Sequence, residues 1–272
     1  MKKVFLICCL FLIVNKVLSQ NTSFIYELKY RPNAEKQYYK DQLFYLDIYG
    51  KESIFRSQHE RSADSLIQKT GFGLGFKMNY NHQYYTQKIL TENKVYKIIV
   101  TPIFSDIYSI PIEDLAWKIT NDKTKIGDFD CQKAELIYGG RSWTAWFTQE
   151  IVLQDGPYIF HGLPGMIIKI TDERSDFVFS LVKIEKNMSQ ISPLRSKKEI
   201  NWEIFRKLES DFYKDPYAEV KARNIGYVNA NEKGEKINIS MKKMTESMQK
   251  NIRDNNNAIE LNHALKYDYQ KI

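Results

Sequence analysis

The sequence predicts a mainly β protein, a β-rich α+β fold. In it a curved antiparallel sheet, half-barrel or barrel-like, carries C-terminal helices packed on it or capping it. Three observations carry that expectation. Large residues alternate with polar ones through much of the first two-thirds of the chain, as in Phe24-Ile25-Tyr26-Glu27-Leu28-Lys29-Tyr30, the period-two pattern of a sheet. Aromatic residues make up 14% of the chain, with 18 Tyr and 15 Phe, and flat rings pack well on a pleated surface. After Pro193 the spacing of apolar residues changes from two to that of a helix.

Taken in order, the alternation predicts a strand over 24–30, then a dense apolar strand over 43–49 that ends at Gly50, with Ile54-Phe55 as a hairpin partner. A short helix is expected over 62–69. Gly71-Phe72-Gly73-Leu74-Gly75-Phe76 follows; its spacing is wrong for a phosphate loop, and it reads as a flexible or tightly packed segment where backbone approaches backbone. Further strands are expected over 84–90, 95–100, 116–120, 132–138, 144–147, 166–170 and 177–184, punctuated by Gly, Pro and polar clusters. Ile200, Ile204, Phe205, Leu208 and Phe212 share one helical face, and Pro216 ends that helix or begins the next. A second helix is expected over 240–253, with Met241, Met244 and Met248 on one face as packing residues.

The N-terminus reads as a secretion signal. Lys2 and Lys3 precede an uncharged apolar run from Val4 to Val14, and Val17-Leu18-Ser19 supplies the residues a signal peptidase needs before a cut between Ser19 and Gln20. A membrane-spanning helix needs about 20 predominantly apolar residues, and Asn15 and Lys16 close this run too early. Cys8 and Cys9 lie inside the apolar run and not directly after the cut, which argues against a lipid anchor. Residues 1–19 are therefore expected to leave, and 20–272 to form a single β-rich domain whose helical part spans about 198–254, with no transmembrane segment. The formal charge of +7 includes Lys2, Lys3 and Lys16; without them basic and acidic residues are nearly balanced and interspersed. No basic stripe or module points to nucleic acid. Cys131 would be the one cysteine of the mature chain, and it reads as a buried hydrophobe ahead of an intermolecular bridge or a nucleophile.

Chemistry-bearing motifs are sparse. The four histidines, His59, His82, His161 and His263, form no close pair, and neither HExxH nor CxxC occurs, so no metal or other cofactor is expected. His59-Glu60 reads as solvated. The G-x-S-x-G elbow is absent. His161, beside Gly162, is the one candidate acid–base residue, because an ordinary imidazole titrates near neutral pH. Arg141, near Trp143 and Trp146, reads as a guanidinium stacked on an indole, or else as the binder of an acidic ligand group.

The most distinctive stretch is Gly156-Pro157-Tyr158-Ile159-Phe160-His161-Gly162-Leu163-Pro164-Gly165-Met166-Ile167. It reads as a rigid β-corner in which Pro164 and Gly165 occupy the central positions of a type II turn. This segment resembles the signature of the GLPGLI family, with Met166 in place of the second leucine. The resemblance extends upstream through Trp117-Lys118-Ile119, Cys131-Gln132-Lys133-Ala134, Gly140-Arg141 and Ala145-Trp146-Phe147-Thr148, and downstream through Ile170-Thr171-Asp172. Asn256-Asn257-Ala258-Ile259-Glu260-Leu261 resembles the family's asparagine-rich ending, with Ala258 where proline is common.

The resemblance implies an exported Bacteroidota protein, periplasmic or outer-membrane-associated, without an established activity and often encoded near outer-membrane receptors. For that lineage it also implies that Asp64-Ser65-Leu66 is an O-glycosylation acceptor. The expected function is non-catalytic binding of a hydrophobic ligand, in the manner of a lipoprotein-carrier half-barrel, or of an outer-membrane partner. A hydrolase or peptidase using His161 and a purely structural component are the alternatives. N-terminal sequencing of the protein from the envelope fraction is expected to begin at Gln20; an intact Met1 on a cytosolic product would refute export.

Overall fold

A computed structural model describes the protein over residues 22–70, 79–103, 106–186, 197–225, 229–230 and 236–267. The expected signal with its Ser19/Gln20 junction, and the glycine–aromatic segment at 71–76, lie outside the described residues. Twelve strands form one sheet: β1 (Thr22–Tyr30), β2 (Lys40–Tyr49), β3 (Glu52–Ser57), β4 (Thr86–Ile89), β5 (Lys94–Val100), β6 (Ile107–Ile112), β7 (Lys118–Ile126), β8 (Phe129–Tyr138), β9 (Arg141–Thr148), β10 (Met166–Asp172), β11 (Phe177–Lys186) and β12 (Lys198–Glu199). Their spatial order is β12-β6-β5-β4-β3-β2-β1-β11-β10-β9-β8-β7. The helices are α1 (Gln58–Thr70), α2 (Trp202–Lys214), α3 (Ala218–Ala222) and α4 (Met241–Asp254), and β13 (Asn229–Ala230) and β14 (Lys236–Ile237) form a separate ribbon.

The sheet is two meanders, β1 to β6 and β7 to β11, joined where β1 pairs antiparallel with β11. Consecutive in the chain, β6 and β7 have nine other strands between them in the sheet. At about 4.8 Å per strand a flat sheet would hold them ~48 Å apart. Residues 113–117, which connect them, reach only about 20 Å. The sheet must therefore curl until its two ends approach one another, and it does so without closing.

The alternation read from the sequence decides what the curl encloses. Phe24, Tyr26, Leu28 and Tyr30 of β1 and Phe44, Leu46 and Ile48 of β2 join one buried cluster with Phe147, Ile170, Phe177 and Phe179. Glu27 and Lys29 face solvent. The concave side is filled by the chain itself: Tyr158, Ile159, Phe160 and Leu163 of the 156–165 corner are at most 1% exposed. Phe160 packs on Trp143 at a ring separation of 4.7 Å and on Phe179 at 6.3 Å. Thr86 Oγ1 donates to the Tyr158 carbonyl, and Trp117 Nε1 to that of His161.

The corner differs from a type II turn. Gly165 N–H donates to the Leu163 carbonyl, two residues back, at 2.7 Å, which is a γ-type closure about Pro164. Gly165 takes φ +153°, and a Cβ there would run into the carbonyl of Thr148. Pairing of Met166 with Thr148 brings β9 that close, so sheet register and not local turn preference sets the geometry.

Other departures have local causes. β6 was not expected, because Pro111 breaks its pattern. Pro111 is tolerated because β12 pairs only with Tyr108 and Ser109, leaving no neighbour for the missing N–H. Helix α2 starts at Trp202, not Ile200, because Asn201 Oδ1 accepts from Ile204 N at 2.9 Å and caps it. Ile200 packs instead against Ile99, Ile110 and Phe205. Glu60 is not solvated: its carboxylate accepts from Ser57 N and Oγ, each at 2.8 Å, while Ser57 Oγ accepts from Glu60 N, a capping box that opens α1. Cys131 is buried as expected, its thiol pushed up to about 11 by burial.

Replacing Gly165 by Ala is expected to destabilise the protein by roughly 3 kcal/mol or more through overpacking against backbone added to an unfavourable φ. Gly162→Ala, where φ is +87° but a Cβ meets nothing within 4 Å, is expected to cost only about 1 kcal/mol. Urea unfolding of both variants checks the contrast.

Candidate functional site

Two inward lysines, an arginine and the C-terminal tail build the polar interior. In β5, Lys97 has the parity of Val95 and Ile99 and so points into the concave side with them. Lys88 of β4 does the same with Thr86. Both lysines are buried. Lys88 Nζ donates to Asp155 Oδ1 and to the Gly156 carbonyl, each at 2.5 Å, and to the Phe160 carbonyl at 3.5 Å. Three acceptors match the three donors of an ammonium, so Lys88 pins the start of the corner. Burial pushes its pKa down and Asp155 opposes this.

His161 lies beside that clamp and is 6% exposed. Its Nδ1 is 3.0 Å from the Ile159 carbonyl, and its Nε2 and Asp155 Oδ2 are buried without a hydrogen-bond partner among the described residues. Burial first, then Lys88, lowers its pKa, which favours the neutral ring. The corner thus does gather a buried acid and base, but the two share no hydrogen bond, and His161 is itself a buried member of the plug.

Arg141 is where the sequence expectation needs most correction. It does not stack on an indole. It lies over the Phe177 ring at 4.8 Å, and its Nη1 donates to Asp172 at 2.8 Å and Asp176 at 3.1 Å. Its Nη2 donates to Asn257 Oδ1 and to the Ala258 carbonyl, and its Nε to the carbonyls of Ala258 and Ile259. With every donor direction engaged by the fold, Arg141 clamps the asparagine-rich tail to the start of β9. Trp146 is half-buried against the core, and Trp117 holds the His161 carbonyl.

The clamped tail delivers Glu260 to Lys97. Glu260 Oε1 accepts from Tyr158 OH at 2.6 Å and Tyr138 OH at 3.1 Å, and Oε2 lies 3.3 Å from Lys97 Nζ. Lys97 Nζ also donates to Tyr158 OH at 2.5 Å. Over this cluster α2 and the tail leave a cavity of about 60 Å³, lined among others by Tyr80, His82, Tyr84, Phe205, Glu209 and Tyr267. Glu209, from α2, makes no hydrogen bond or ion pair among the described residues. Burial, then repulsion from Glu260 and against the attraction of Lys97, raises its pKa to about 7. Burial, then nearby Lys40, lowers His82 to about 4, so that ring is neutral at neutral pH. Its Nδ1 lies 2.9 Å from Tyr84 OH.

The remaining sequence candidates do not converge on this cavity. His59 is exposed, and His263 stacks on Trp202 at 4.3 Å. Gly156, Pro157, Phe160, Gly162, Leu163, Pro164 and Gly165 make the plug, not the cavity wall. Ser65 sits half-exposed on α1 after Asp64, which is buried in an ion pair with Arg56. Among the described residues no three His, Cys, Asp or Glu side chains gather to hold a metal ion. Lys97, Glu209 and Glu260 were missed by sequence reasoning; the only available signal was the parity of Lys97 within an apolar strand.

A family model described as a protein of unknown function (Porph_ging) matches residues 140–169, from Gly140 and Arg141 through the corner into β10. No curated protein matches. Two solved structures, "Structure of PNGF-II in C2 space group" and "Structure of PNGF-II in P21 space group", align at 12% identity with TM-scores of 0.47 and 0.46. Each alignment covers 70% of this chain and 32% or 33% of the other, so the chain spans about a third of their length.

Because Glu209 holds its proton more tightly folded than unfolded, it weakens the fold as pH rises from its ordinary value near 4.5 to about 7. Glu209→Gln is therefore expected to match the native protein at pH 4.5 and to exceed it at pH 8 by up to about 3 kcal/mol. Urea titrations at the two pH values measure the difference.

Proposed function

We propose that the chain is an exported, non-catalytic binding protein of the cell envelope, and that its ligand presents a small polar group to the cavity between α2 and the tail. The signal-like N-terminus and the resemblance to the GLPGLI family support export. The observation that carries binding is Glu209, a carboxylate facing a cavity whose other charged lining groups, Lys97 and Glu260, are engaged with each other and with the phenols of Tyr138 and Tyr158 behind them. That mutual engagement favours holding a ligand over turning one over. A hydrolase built on His161 would need substrate to reach a ring that is only 6% exposed.

The hydrophobic ligand expected from the sequence suits this interior less well. Pockets for drug-sized ligands run to roughly 300–1,000 Å³, against a cavity of about 60 Å³ here, and the aromatic concave side packs on the chain's own corner. An outer-membrane protein remains the alternative bearer of the polar group. A purely structural role would leave the unpartnered carboxylate without a purpose.

The test is thermal unfolding of the mature protein against a pool of small polar metabolites, beside Ala264→Phe, which fills the cavity from its lining. A ligand at a hundred times its dissociation constant stabilises by about 2.7 kcal/mol. A shift of several degrees is expected in the native protein and none in the variant. Equal shifts in both, or none in the native protein, would count against the cavity as the site.

A further inference from the structure

Charge around the cavity is uneven. Lys97 and Glu260 lie within 3.3 Å and offset one another. His82 is neutral at neutral pH, and Glu209 adds a second carboxylate. With Glu209 ionised, these lining groups sum to one negative charge. A carboxylate removed from water is relieved by a proton or by a cation at its side. The rings of Tyr80, Tyr84, Phe205 and Tyr267 line the same space, and aromatic faces attract cations, above all quaternary and primary ammonium groups. An anion would meet Glu209 with Lys97 already paired.

We infer that the cavity takes a small organic ammonium ion, seated against the Glu209 carboxylate and flanked by the Tyr80 and Tyr267 side chains. This rests on the binding reading above and names its ligand class. The ammonium displaces the proton that Glu209 holds near neutral pH. At pH 7 about half the molecules carry that proton, so binding releases roughly half a proton, and affinity falls about tenfold per unit at pH well below 7. Lys97 from β5, Glu260 from the tail, His82 and Tyr84 from the segment before β4, Tyr80, and Tyr267 are the other titratable groups facing the cavity.

Calorimetry on the mature protein tests the inference with choline and butylammonium as probes. The neutral choline isostere 3,3-dimethylbutan-1-ol and sodium acetate serve as comparisons, each in phosphate and in Tris at pH 7. Saturable binding of an ammonium probe is expected, at least tenfold tighter than the neutral isostere. Proton release should appear as a buffer-dependent heat, and Glu209→Gln should lose both the preference and the release. If acetate or the isostere binds as tightly as choline, or if Glu209→Gln binds choline unchanged, the ammonium assignment is overturned while the cavity survives as a site. If Ala264→Phe also leaves every ligand's binding unchanged, the cavity itself falls.

Discussion

The Arg141 guanidinium is the contact on which the interior arrangement depends. It sits at the start of β9, over Phe177, and reaches two acids of the β10–β11 turn, Asp172 and Asp176, together with three residues of the tail. Asp176 is shared with Arg31 at the end of β1, and Asn257 Nδ2 donates in turn to the Arg31 carbonyl. One buried cation thus ties together the seam between the two meanders and the asparagine-rich tail. Removing one partner of a buried ion pair typically costs 3–5 kcal/mol, because the other charge is left uncompensated. Here five acceptor groups would be left facing a cavity at once.

Filling a curled sheet with its own chain creates a problem that Lys88 and Lys97 solve. A loop inside a barrel carries carbonyls that water cannot reach, and each needs a donor. Lys88 serves the carbonyls of Gly156 and Phe160, while Lys97 and Glu260 hold the phenols of Tyr158 and Tyr138. Small backbone clearances complete the fit: a Cβ on Gly156 would crowd the Ile167 side chain and the Phe160 carbonyl. The glycine–proline signature is therefore the shape of a plug, and Gly162 and Pro164, its exposed members, mark where the plug meets solvent.

Sequence legibility followed the range of the interaction. Period-two alternation placed the inward face of β1, because parity is a property of neighbours along one strand. Strand patterning also placed the mainly β class, while the expected curvature rested on fold analogy, and the short β6–β7 connection is what explains why the sheet must curl. The parity of Lys88 and Lys97 was equally readable, and it already put two cations on an apolar face. What could not be read was the acid that each would meet, since Asp155 lies 67 residues beyond Lys88 and Glu260 lies 163 beyond Lys97. For Arg141 the nearby tryptophans suggested a stacking partner, and the sheet supplied Phe177 instead.

The same distances explain why the candidate site belongs to the completed fold and to no fragment of it. Lys97 comes from the first meander, Tyr158 from the plug, Glu209 from α2 and Glu260 from the tail. Closing loops of such length costs conformational entropy that must be offset by contacts already made. The plug can be buried only once both meanders have curled around it, and the tail can be clamped only once β9 and the β10–β11 turn are in place. Glu260 therefore reaches Lys97 as one of the last long-range contacts, and the cavity above it is defined by elements whose order depends on all the rest. A polar group bound at that seam would brace α2 against the tail, where the fold is held by side chains rather than by the sheet ladder. Ligand binding there should accordingly register more strongly in the protection of the tail than in that of the β strands.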